Sequence, residues 1–140
     1  MKLKLEGAQL YQYTLSNEKN SHCIISPCNG EGSAQEGISP MELVAGGVAA
    51  CIMIDLQSIL LKQRMDPNQI SVEVIGHRTG GVPSPFKSID LGFNVPESLD
   101  TNRLAKNIQL VIDKYCSVSA SLNPEIKITF KINEQIDKST

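Results

Sequence analysis

Cysteine is the residue type in this chain best placed to do chemistry, and two of its four cysteines sit in suggestive settings. Cys51 lies deep in a small and apolar run, Ser39-Pro-Met-Glu-Leu-Val-Ala-Gly-Gly-Val-Ala-Ala-Cys51-Ile-Met-Ile-Asp55. Cys116 closes a later amphipathic stretch, Asp113-Lys-Tyr-Cys-Ser-Val-Ser119. Two thiols at the inner ends of two helices can form a redox pair, in which one is oxidised to a sulfenic acid and the other condenses with it to a disulfide. Elsewhere there is no nucleophile–His–carboxylate set, no phosphate loop and no obvious metal cluster.

A thiol reacts as its thiolate, and an ordinary cysteine with a pKa of about 8.5 is only a few per cent ionised at neutral pH. Cys51 falls about three turns into its helix, beyond the reach of the macrodipole. Asp55, one turn ahead on the same face, would raise the thiol's pKa if ionised and close. A supporting cation must then come from elsewhere in the fold or from a partner chain; Arg64, Arg78, Lys87 and Arg103 are the candidates. Cys116 is expected at a helix C-terminus, where the dipole disfavours a thiolate. That suits a resolving thiol, which attacks after Cys51 has been oxidised. The plainer reading of either cysteine is a small apolar filler.

Other residues weigh less. Cys23 and Cys28, with His22 adjacent, fall short of the four ligands of a structural zinc site. Cys23 is expected to pack on a strand and Cys28 to lie in a loop. His77 reads as a polar residue at a strand end, with a ligand or acid role second. Tyr115 completes an apolar stripe beside Cys116, and Phe86 suits a core or a pocket wall. Met41, Met53 and Met65 suit gap filling.

The elements that must hold these residues are legible in outline. Three short extended segments open the chain, Lys2–Glu6, Gln9–Leu15 and Ser21–Ser26, followed by a flexible connector, Glu31–Gly37. Ser39 can cap a helix, Pro40 suits its first position, and Glu42 stands three residues after the cap. The helix should run to about Arg64 and stop before Asp66-Pro67. Its nearly charge-free first half marks it as the buried central helix. Ile70, Val72 and Val74 alternate with polar residues, as do Ile89, Leu91, Phe93 and Val95, with a Gly/Pro loop, Gly80–Pro85, between them. Leu104, Ile108, Val111, Ile112 and Tyr115 line one face of a second helix, about Asp100–Tyr115. A last strand carries Ile126, Ile128, Phe130 and Ile132, and Gln135–Thr140 reads as a polar tail.

Length and charge bound the rest. The 140 residues make a single domain, 1–140, able to bury roughly two-thirds of its unfolded surface. A net charge of −2, with scattered Lys and Arg, argues against nucleic acid or an anionic membrane as partner. No apolar run is expected to approach the roughly 18 residues of a membrane span. The alternating Met1-Lys-Leu-Lys-Leu-Glu6 reads as a strand and not a signal peptide. A cytoplasmic protein with reduced cysteines is expected. Strands around two long helices give an α+β class.

Ser39-Pro-Met-Glu-Leu43, Ala49-Ala-Cys51 with Asp55, and Lys114-Tyr-Cys-Ser-Val118 resemble the organic hydroperoxide resistance/osmotically inducible (Ohr/OsmC) family. Pro85–Phe93 is a family-like strand in the expected place. The resemblance runs from the first strands to Ile132 and leans to the OsmC-like branch more than to the Ohr branch. It implies an OsmC-like fold, with antiparallel sheets around two long central helices, in an intertwined homodimer. The small residues Ala45, Gly46, Gly47, Ala49 and Ala50 agree, since a helical Gly costs about 1 kcal/mol unless close approach requires it. It also implies thiol-dependent reduction of organic hydroperoxides, with Cys51 as the peroxidatic thiol and Cys116 as the resolving one. An external thiol, dithiol or lipoyl-type reductant would restore them, and neither cofactor nor metal is called for. The chain departs from the family pattern at two places. The family's N-terminal-strand arginine has no counterpart, because the first Arg is Arg64. The family's glutamate, ten positions before the reactive cysteine, is replaced by Met41. Glu42 is about 2.5 turns before Cys51 and so faces away from it, which leaves it the capping role. The alternative is a non-catalytic dimer that binds a small hydrophobic molecule or senses oxidants, its Cys51 neutral and sealed.

Overall fold

A computed structural model describes residues 1–33 and 36–136. The chain divides into two compact units, Met1–Val44 and Ala45–Thr140.

The first unit is an antiparallel sheet of β1 (Leu3–Gln9), β2 (Gln12–Asn17) and β3 (His22–Ile25), in that order. The segment expected as one strand over Gln9–Leu15 is broken after Gln9. Leu10 and Tyr11 form the two-residue loop of a hairpin, with Tyr11 at a left-handed φ of 60°. Such loops need positive φ, usually supplied by Gly or Asn. Here Tyr11 adopts it with its hydroxyl donating to Glu31 Oε2 at 2.7 Å. Gly32 lies close against the same ring, where a Cβ would come within 2.6 Å of the Tyr11 Cβ. After β3 the chain returns alongside itself. Ile38 N–H donates to Ile24 O at 2.9 Å and Ser26 N–H to Ile38 O at 3.2 Å, so that Ser39 is delivered to the start of a helix. Ala34 and Gln35, within the expected connector, lie outside the described residues.

That helix, α1 (Pro40–Lys62), begins in the first unit and continues into the second. The capping box is formed as expected: Glu42 N–H donates to Ser39 Oγ at 3.3 Å and Ser39 N–H donates to Glu42 Oε2 at 2.8 Å. The helix stops where Arg64 turns left-handed, at φ 59°, and Met65 N–H reaches back to Leu60 O at 2.9 Å. This is a Schellman closure made without glycine.

In the second unit α1 buries a stripe of Ala45, Val48, Ala49, Ile52, Leu56 and Leu60. β4 (Ser71–Arg78), β5 (Phe86–Asn94) and β6 (Lys127–Ile132) form the second sheet, in that order. Ile89, Leu91 and Phe93 of β5 are buried, with Leu104, Ile108 and Val111 of α2 (Thr101–Lys114). Asp100 caps α2, accepting from the N–H groups of Asn102 and Arg103. Gln63 and the buried Asn107 exchange reciprocal amide hydrogen bonds, at 3.2 and 3.0 Å, tying the end of α1 to α2.

Three expectations need correction. The second sheet is not purely antiparallel: β4 and β5 are antiparallel, but β5 and β6 run parallel. A parallel pair requires a crossover of a dozen residues or more. Residues 95–126 supply one, carrying α2 and a short helix, α3 (Ser117–Ala120). The tail is not wholly polar, since Ile136 is buried and packs over Gly92, where a Cβ would stand 3.3 Å from it. Residues 137–140 lie outside the description. Finally, α1 is long and apolar enough, by length and composition alone, to cross a membrane. Its Ala, Gly and aliphatic residues outweigh Glu42 and Asp55, a composition shared by core helices of globular proteins.

Candidate thiol site

α1 carries Cys51 on the helical face that also holds Gly47, one turn before it. A Cβ on Gly47 would sit 3.8 Å from Val118 Cγ1, which places α3 directly over this part of α1. Cys116 lies just beyond the end of α2, whose last turn closes with Tyr115 N–H and Cys116 N–H both donating to Val111 O. The backbone of Cys116 is extended, and its side chain becomes the N-cap of α3. Cys116 Sγ accepts from Ser119 N–H at 3.4 Å, and Ser119 Oγ donates back to Cys116 O at 3.0 Å.

The two sequence-predicted thiols therefore meet. Cys116 lies close enough to act on the ionisation of Cys51, as do the backbone N–H groups of Val118 and Ser117. Cys51 is half-buried and Cys116 buried, and both are free thiols. Several influences act on Cys51 ionisation. The largest single one, the Val118 N–H, favours the thiolate. Desolvation, the hydrogen bond to Cys116 and the negative charge Cys116 carries when ionised oppose it, and the Ser117 N–H favours it. The net result is a thiol held above its ordinary range.

The expected helpers and opponents lie elsewhere. Among the described residues no lysine or arginine acts on Cys51, and neither does Asp55. Arg64 closes α1, Arg78 Nε donates to Ser84 O at 2.8 Å, and Lys87 and Arg103 are exposed. Cys116, expected to face the carbonyl end of α2, instead faces the amide end of α3. Ser117, Val118 and Ser119 are thus the site residues that the sequence reading missed. A thiol followed three residues later by serine is the one available sign of that cap.

The remaining candidates separate from the thiols in role. His77 is buried, with Nε2 2.7 Å from Asp90 Oδ2, and Asp90 Oδ1 accepts from Thr129 Oγ1 at 2.5 Å. This links β4, β5 and β6 across the sheet. Cys23 pairs with Leu15 inside the first sheet, and Cys28 is exposed in a loop. No group of three metal-ligating side chains occurs among the described residues. Tyr115 is exposed and Phe86 buried. The first unit contains a concave site of about 300 Å³ lined by Leu5, Tyr11, Tyr13, Ile25, Pro27 and Pro40.

Two three-stranded sheets and a long helix rich in small residues define an α+β protein. The chain belongs to the OsmC-like protein family, whose model matches residues 30–131. It is 33% identical over 116 residues to Protein YhfA of Escherichia coli, covering 82% of this chain and 84% of that protein. Its fold is similar to that of an OsmC-like protein from Mycoplasma pneumoniae, with a TM-score of 0.74 at 16% identity, covering 94% of this chain and 96% of the other. It is also similar to the organic hydroperoxide resistance protein OhrB of Bacillus subtilis, with a TM-score of 0.65 at 18% identity and coverage of 94% and 98%.

Proposed function

We propose that this protein is a thiol-dependent peroxidase that reduces organic hydroperoxides through Cys51 and Cys116. The observation that carries the reading is the nearness of two free thiols drawn from distant parts of the chain. Membership of the OsmC-like family supports a redox or hydroperoxide-related role, and so does the likeness in fold to an organic hydroperoxide resistance protein. The Cys51 thiolate attacks the outer oxygen of the hydroperoxide. The O–O bond breaks, the alkoxide takes a proton and leaves as an alcohol, and Cys51 becomes a sulfenic acid. Cys116 then attacks that sulfur. The S–O bond breaks, the S–S bond forms, and the hydroxyl leaves as water with the thiol proton. An external thiol, dithiol or lipoyl-type reductant returns both cysteines to thiols.

The working unit in this reading is a cytoplasmic, intertwined homodimer of a single-domain chain. Gly46, Ala50, Ile54 and Leu61 form an exposed stripe on α1, opposite its buried one. A Cβ on Gly46 would meet nothing within 4 Å, so no packing among the described residues explains a glycine there. A second α1 lying against the stripe explains it.

One observation favours a second reading. A Cys51 held above its ordinary range, with no cation acting on it among the described residues, suits a non-catalytic dimer that senses oxidants or binds a small hydrophobic molecule. The apolar concavity of the first unit has the character of such a site. Consumption of cumene hydroperoxide with dithiothreitol separates the two. In the peroxidase, Cys51→Ser abolishes turnover, while Cys116→Ser leaves a sulfenic acid at Cys51 that dimedone traps. A Cys51→Ser protein as active as the wild type would overturn the catalytic reading.

A further inference from the structure

Cys116 is held by one residue at two points. Ser119 N–H donates to Cys116 Sγ at 3.4 Å, and Ser119 Oγ donates to Cys116 O at 3.0 Å. Each bond fixes a different part of Cys116: the first fixes the side-chain torsion, the second the peptide that follows. The rest of the segment is anchored on both sides. Cys116 N–H is tied to Val111 O at 2.9 Å, and Ser121 N–H to Ser117 O at 3.1 Å. Ser121 Oγ donates to the same Ser117 carbonyl at 2.8 Å. Residues 116–121 therefore form a short hydrogen-bonded platform over Gly47, with Cys116 in the neighbourhood of Cys51. A helix of four residues does not hold itself together, since its hydrogen bonds barely exceed the cost of nucleation. The two bonds from Ser119 hold its entry.

We propose that Ser119 is a positioning residue for disulfide closure, keeping the Cys116 sulfur within reach of the Cys51 sulfenic acid. The inference rests on the two-thiol peroxidase reading and adds to it a residue that touches no substrate. Ser119 contacts Cys116, the thiol of the second chemical step. The attack of Cys51 on the hydroperoxide uses the Cys51 sulfur and the N–H groups of Val118 and Ser117. Closure needs the Cys116 sulfur to approach along a single line. Without the Oγ bond the 116–119 turn samples other orientations, and fewer of them put the sulfur on that line.

The test separates the two steps. The reduced protein is mixed with one equivalent of cumene hydroperoxide and no reductant. Sulfenic acid at Cys51 is followed by dimedone trapping, and the Cys51–Cys116 disulfide by peptide mass after alkylation. In Ser119→Ala, closure slows by about fivefold or more relative to sulfenic acid formation, the rate equivalent of one ordinary hydrogen bond, and trapped adduct accumulates. Ser119→Thr, which keeps a hydroxyl, restores closure. Wild-type closure in Ser119→Ala overturns the proposal, as does failure of Ser119→Thr to restore it. Equal slowing of both steps also overturns it, because that marks a general loss of structure. If the wild-type protein itself forms no Cys51–Cys116 disulfide, the underlying redox-pair reading fails with it. That failure is visible before any Ser119 variant is made.

Discussion

Cys51 is pulled in two directions by its surroundings. The Val118 N–H favours its charged form most strongly, with a smaller push from Ser117; desolvation and Cys116 together outweigh them. The thiolate is therefore scarce at neutral pH. In the peroxidase reading, the rate of Cys51 oxidation by hydroperoxide rises with pH by about tenfold per unit and keeps rising past the usual thiol value of about 8.5. Stopped-flow oxidation from pH 6 to 10 measures this. A plateau reached by pH 7 would mean that a group outside this chain ionises the thiol. The sign for stability follows from the same shift. A folded-state pKa above the unfolded one contributes stability that is complete below the unfolded value and lost as pH rises through the folded value. The thiol thus favours the folded state near neutrality and loses that contribution at alkaline pH.

At the scale of elements, α1 depends on the exchange between Ser39 and Glu42. The carboxyl of Glu42 is held below its usual range by its hydrogen bonds to the Ser39 side chain and backbone. A depressed folded-state pKa gives stability that is present above the unfolded value, about 4.3, and lost as pH falls through the folded value. Ser39→Ala should lower stability by about 1 kcal/mol at neutral pH. The gap to the wild type should narrow as Glu42 protonates. Urea unfolding midpoints at pH 7 and pH 3 provide the check, and an unchanged midpoint at pH 7 would remove the cap from the account.

This helix start was legible because a capping box is local: Ser39, Pro40 and Glu42 declare it within four residues. The turn at Leu10-Tyr11 was not legible, because its left-handed residue is a tyrosine held by a distant Glu31. Helix α3 was missed because four residues carry no periodic pattern. The parallel pairing of β5 and β6 was missed because alternation marks a strand and one buried face but not its direction.

For the whole molecule, the exposed apolar stripe on α1 is a surface suited to a partner. Ile54 is 64% exposed and Leu61 63% exposed. If a second copy covers them, the wild-type protein elutes as a dimer. Ile54→Asp should then shift it to monomer in light scattering at micromolar concentration, because paired buried carboxylates oppose association. A wild-type protein that is already monomeric would rule out the dimer.

The sequence by itself determined which thiols are candidates for chemistry and which helix carries Cys51. Thiol identity, the capping box and the apolar periodicities are written in residue types at short spacing. Only the tertiary structure decided that Cys51 and Cys116 are neighbours. It also decided that, among the described residues, backbone amides and not a cation act on Cys51, and that Cys116 caps a helix rather than ending one. Those features depend on contacts between residues sixty-five positions apart and on the directions of backbone N–H groups. Side-chain identity encodes neither.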